Sequence, residues 1–213
     1  MLTRRFWLPF AIVLAVAGCQ DAAAPRSEAN VTGLQFAVAT DTSAAAHMLR
    51  QRSGAPRLET YQTSFWASPL RATTVAVNYL PAAGQSVGAP FLKFEIPRLG
   101  LMAGAGGVSL RPVDSVLITL SIDTVLFRVD FQPEGVQFSS ANPAQLTMWY
   151  ANADPDFNRD GQVNGLDKQL EWQLGVWYRG SGSGWSKVSS RSDPSLRFVA
   201  ASIFHFCEYA ISW

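Results

Sequence analysis

The sequence predicts an all-β fold, an antiparallel β-sandwich with one short helix. Beyond Tyr61, short runs of β-branched and aromatic residues are separated by Gly, Pro and Asn, the texture of strands joined by tight turns. Within those runs apolar residues recur at every second position. Val116, Ile118, Leu120 and Ile122 form one such set, Val125, Phe127, Val129 and Phe131 another, and Leu146, Met148 and Tyr150 a third. That period places one strand face in a core and the other in water. Only 165–174 in this region has helical spacing, with Leu166, Leu170 and Leu174 at i, i+4 and i+8. About 150 residues can close a single core.

From the N-terminus, Arg4 and Arg5 precede an apolar run over 6–17. It is too short to cross a bilayer and has the length of a signal-peptide core, so 1–18 is expected to be a signal peptide. The run closes on Val16-Ala17-Gly18-Cys19, which resembles the lipobox of bacterial lipoproteins. That resemblance implies cleavage before Cys19, lipidation of its thiol and a membrane-anchored place in the bacterial cell envelope. Two acyl chains hold a protein stably where one holds it marginally. Gln20 stands where an Asp retains some lipoproteins on the inner membrane, which favours the outer membrane.

Losing 1–18 removes two basic residues and no acid, so a formal charge of +1 becomes −1. No basic field is left to attract nucleic acid. Cys207 is the only cysteine besides Cys19, so the lipidated chain has no pair for an internal disulfide. Residues 19–60 are rich in Ala, Ser, Thr and Arg, with Phe36 the one aromatic. They read as a flexible tether, and about forty such residues reach roughly 35 Å root-mean-square. A helix over 42–52 is marginal on propensity.

The sandwich is expected over 61–213, with strands at 73–79, 91–96, 115–122, 124–131, 145–150, 175–178, 185–188, 196–201 and 204–212. Between the strand at 145–150 and the helix lies Asp156-Phe157-Asn158-Arg159-Asp160-Gly161-Gln162-Val163-Asn164-Gly165-Leu166-Asp167. Oxygen-bearing side chains fall at positions 1, 3, 5, 9 and 12, with Gly at 6 and Val at 8, the spacing of an EF-hand calcium loop. Calcium takes six to eight hard oxygen ligands. The side chains of Asp156, Asn158, Asp160 and Asp167 supply four positions and the Gln162 carbonyl a fifth. Asn164 adds another, directly or through water. One Ca2+ is therefore the expected cofactor. Ending on Asp167 and continuing into Lys168-Gln169-Leu170, the loop resembles those of dockerin modules over about 156–174, though dockerins carry two such segments and this chain has one.

The C-terminal half carries a second resemblance. Val129-Asp130-Phe131-Gln132-Pro133-Glu134-Gly135-Val136 is followed by Pro143-Ala144-Gln145-Leu146, then Trp177, and closes on His205-Phe206-Cys207-Glu208-Tyr209. The pattern resembles the ZU-type β-sandwich of ankyrins, netrin receptors and zonula-occludens proteins over roughly 92–213. It implies a sandwich that makes protein contacts and supplies no catalytic residues. Cys207 departs from the pattern's Ser, and the calcium-type loop is an insertion.

Little else carries chemistry. The chain has two histidines, His47 and His205, so a Ser or Cys nucleophile has few bases to call on. His205 and Cys207 are two apart on an expected strand and share a face, but a closed zinc site needs four ligands. The glycine-rich 100–107 lacks the Gly-Lys-Ser/Thr ending of a phosphate loop and reads as a turn. Seven Trp residues are present. Most are expected in the core, with Trp172 and Trp185 the candidates for an exposed ligand-binding face that would stack on sugars. The sequence thus points to a non-enzymatic, lipid-anchored, calcium-binding sandwich with a structural or protein-interaction role. The alternative is a module that binds carbohydrate or surface polymer.

Overall fold

A computed structural model describes residues 44–180 and 184–213. The expected signal peptide, Cys19 and the first part of the tether lie outside the described residues.

After a 3₁₀ turn at Ala44–His47 the strands are β1 (Gln62–Ala67), β2 (Thr73–Asn78), β3 (Pro90–Ile96), β4 (Leu101–Ala103), β5 (Val116–Asp123), β6 (Arg128–Gln132), β7 (Gln137–Phe138) and β8 (Ala144–Trp149). Helix α1 (Gly165–Glu171) precedes β9 (Gly175–Arg179), β10 (Trp185–Lys187), β11 (Ser190–Asp193), β12 (Phe198–Ile203) and β13 (Glu208–Ser212). Six strands form one sheet in the order β1-β5-β6-β13-β9-β10, and five form the other in the order β11-β12-β8-β3-β2. β4 and β7 pair separately, and every pairing is antiparallel. The expected all-β sandwich architecture is what the chain adopts.

The inward faces follow the period-2 pattern. Ile118 and Leu120 of β5, Val129 and Phe131 of β6, and Leu146 and Met148 of β8 are buried in one cluster. The two sheets meet through aromatic rings: Phe94 of β3 lies 4.6 Å from Phe131 of β6, centroid to centroid, and Phe131 stacks on Phe206 at 4.8 Å. Each such buried ring contributes roughly 1.5–3 kcal/mol relative to leaving it in water.

Several expectations are corrected. The strand expected from 124 begins at Arg128, because the Asp123 carboxylate accepts the amides of Val125 and Leu126 and forms a turn there. Val125 is consequently 64% exposed, although Phe127 is buried. The last strand begins at Glu208 and not at 204, so His205 and Cys207 precede it. Part of the glycine-rich 100–107 is strand β4, paired with β7.

The largest correction concerns the tether. Residues 44–60 do not hang free: Met48, Leu49 and Leu58 are buried. Met48 bridges Ser212, Gln51 bridges Ala153 and Leu58 bridges Tyr79. Residues 47–52 form a strap along the end of the sandwich where β13 finishes and the calcium-type loop begins. Composition misled here because Met48, Leu49 and Leu58 are the few large apolar residues that this segment buries among many small or polar ones.

Candidate metal centre

The loop leaves the end of β8 through a turn in which the Ala153 amide donates to the Tyr150 carbonyl, and Asp154 donates its amide to Arg50 of the strap at 2.7 Å. From there its own side chains shape it. The two carboxylate oxygens of Asp156 accept the amides of Asp160 at 3.1 Å and Gly161 at 2.8 Å. Asn158 Oδ1 accepts the Asp160 amide as well, also at 3.1 Å. Asp160 Oδ1 accepts the Gln162 amide at 2.8 Å, and its Oδ2 accepts Asn158 Nδ2 at 2.9 Å. Such short-range bonds from Asp and Asn to the backbone two to five residues on favour tight turns over regular structure. Gly161 turns the chain at φ 85, a conformation open to glycine at no steric cost.

Asp167 closes the loop. It is 2% exposed, and its Oδ1 accepts the amides of Phe157 at 2.8 Å and Asn158 at 3.4 Å. Its Oδ2 accepts the Asn164 amide at 2.8 Å. Asn164 is the N-cap of α1 and accepts the Leu166 amide at 2.8 Å, so the two side chains form a capping box. The Asn164 amide, helped by those of Asn158 and Phe157, holds the Asp167 carboxyl below the usual carboxylate range against the opposing push of burial. The helix ends at Glu171, shorter than its leucine spacing suggests; Leu166 in its first turn is exposed, and Leu174 is buried beyond its end.

All six sequence-derived ligand positions, Asp156, Asn158, Asp160, Gln162, Asn164 and Asp167, therefore belong to one loop. In the described conformation the carboxylates turn toward backbone amides. Among the described residues no three Asp, Glu, His or Cys side chains converge closely enough to hold a metal ion. The donor set is nevertheless all hard oxygen. An ionised carboxylate offers about four lone-pair positions, of which these amides take two at Asp156 and three at Asp167.

The two tryptophans singled out from the sequence part company. Trp172, at the C-cap of α1, is 73% exposed. Trp185 is buried at 3% with Met48, Trp177 and Ala210, and the Arg179 guanidinium lies 5.1 Å over its ring. Trp185 is thus a packing residue, because β10 pairs with β9 beneath the strap's Met48. Trp66 of β1, not anticipated, is 65% exposed beside Leu117 of β5. The alternation of Gln62, Ser64 and Trp66 on one polar face was the available signal.

His205 Nδ1 and Cys207 Sγ lie 3.2 Å apart, and the Cys207 side chain is buried. Tyr178 meets the imidazole edge-on at 5.4 Å.

Sequence reasoning also missed Phe157 and Arg159. Arg159 donates to the Met48 carbonyl at 2.7 Å, 111 positions away in sequence. Nothing local encodes such a partner. Comparison with family models, curated proteins and solved structures yields no match.

Proposed function

We propose that this chain is a lipid-anchored, calcium-binding β-sandwich outside the cytoplasm, with a structural or protein-interaction role and no catalytic one. The calcium reading is carried by the backbone of the loop. Gly161 makes the left-handed turn at the sixth position, Asp156 gathers the amides of the fifth and sixth residues, and Asp167 sits in the first turn of α1. The lone pairs left on Asp156, Asp160 and Asp167 and the Gln162 carbonyl are the oxygens a calcium ion would use. Binding requires the three carboxylates to converge while their backbone bonds persist. Without an ion that convergence is opposed by like charge. The anchor rests on the lipobox resemblance at Cys19, and the protein contacts on the ZU-type resemblance.

Thermal melts of residues 20–213 in excess chelator and in millimolar calcium test the reading. At a hundred times the dissociation constant, calcium adds about 2.7 kcal/mol to stability. The parent should gain this and Asp160→Ala should not. Equal melting of the parent in chelator and calcium would reduce the loop to a self-capped turn.

A further inference from the structure

We infer that the loop is the latch for the strap at 47–52, so that calcium bound at Asp156–Asp167 governs how firmly the N-terminal segment is held against the sandwich. The inference rests on the calcium reading above. The strap lies across the loop end of the domain. The Leu49 amide donates to the Ile211 carbonyl and the Arg52 amide to the Asn152 carbonyl, both at 3.0 Å. The Arg52 guanidinium also donates to Asn152 Oδ1 at 2.9 Å.

Of the loop side chains at non-ligand positions, Arg159 bonds the strap directly and Phe157 connects to it through Trp213. Arg159, the fourth loop residue, donates to the Met48 carbonyl at 2.7 Å. Phe157, the second, packs against Trp213 at 6.4 Å, and Trp213 stacks on His47 at 5.0 Å with the rings parallel to within 1°. Between strap and loop runs a cleft of about 210 Å³, lined by Arg50, Asp154, Asp156 and Arg159. Asp156 is therefore both a ligand position and a wall of the cleft.

Arg159 holds φ 61, a left-handed conformation unusual for a residue with a side chain. The turn around Asp156, Asn158 and Asp160 imposes it, and it aims the guanidinium at the strap. An ion that rigidifies this turn holds Arg159 in place; a loosened turn lets the strap detach back to Leu58, its next buried anchor. Release frees about ten residues, up to roughly 35 Å of extended chain. Calcium would then shorten the connection between the sandwich and its N-terminal attachment.

Hydrogen exchange over residues 47–52, with calcium affinity measured in parallel by calorimetry, tests this in the parent, Asp160→Ala and Arg159→Ala. Arginine and alanine bear similar strain at φ 61, so the last variant isolates the guanidinium. Calcium should slow exchange over the strap about tenfold or more in the parent. It should do nothing in Asp160→Ala, and in Arg159→Ala it should bind while the slowing largely disappears. Calcium heat in the parent with strap exchange unchanged overturns the latch and leaves the calcium site standing. Absence of calcium heat in the parent overturns both. An Arg159→Ala strap that responds like the parent's removes Arg159 as the link.

Discussion

Between the sheets, Phe94, Phe131 and Phe206 lie within 5.9 Å of one another, centroid to centroid, and none of their rings meets solvent. At the loop end, Asp156, Asp160 and Asp167 hold the chain by accepting backbone amides, and the residues around them are largely exposed. The first region is stabilised by removing apolar area from water, which depends on neither charge nor ion. The second is held by hydrogen bonds from backbone amides to charged acceptors, which are stronger than neutral pairs. One chain thus joins an apolar core to a loop end held by charged acceptors.

The largest effect is expected in the core. Phe131→Ala opens a cavity between both sheets and should cost about 3–5 kcal/mol, read as a shift in the urea midpoint. That loss should be the same in chelator and in calcium. A loss that depends on calcium would show that core and loop form one cooperative unit.

The two regions also differed in how far the sequence disclosed them. Core strands such as β3, β5 and β8 were legible because a buried face forces period-2 alternation. Their expected and observed limits differ by a residue or so. Edge strands escaped: β11 (Ser-Arg-Ser-Asp) and much of β1 carry polar residues where one face meets water, so no apolar rhythm marks them. The donor spacing of the loop was legible because it is local. The strap was not, since Met48 finds Arg159 and Ser212 only once the sandwich exists. Trp185 was misplaced for the same reason: its burial depends on Met48 and Trp177, not on its neighbours in sequence.

A smaller effect sharpens the contrast at the loop. Asp167→Ala removes the acceptor for three backbone amides and half of a capping box, and should cost about 2 kcal/mol. Its pH dependence has a definite sign. Because the Asn164 amide and its fellows depress the folded-state value, the stabilising contribution of Asp167 is present above the unfolded carboxylate value and is lost as pH falls through the folded one. The advantage of the parent over Asp167→Asn should be flat above about pH 5 and shrink below about pH 4. Chemical denaturation of both proteins between pH 7 and 3 measures it. An advantage that persists unchanged at pH 3 would mean that the carboxylate charge is not what holds the loop. Phe131→Ala, whose effect is apolar, should show no such closing against the parent.

The smallest predicted effect lies beside the loop, at Trp172. A tryptophan with most of its surface in water contributes little to folding, so Trp172→Ala should stay within about 0.5 kcal/mol of the parent and leave the calcium response intact. Trp172 is the C-cap of α1, and its backbone amide donates to the Leu170 carbonyl, a bond that alanine retains. Stability therefore gives no reason for so large a ring at this position. A loss well beyond that margin would show that the ring packs against the loop end after all, and would make Trp172 part of that region. An unchanged melt would leave it outside both regions, so that any effect of Trp172→Ala on binding to a glycan or protein panel could be read as lost contact and not as lost structure.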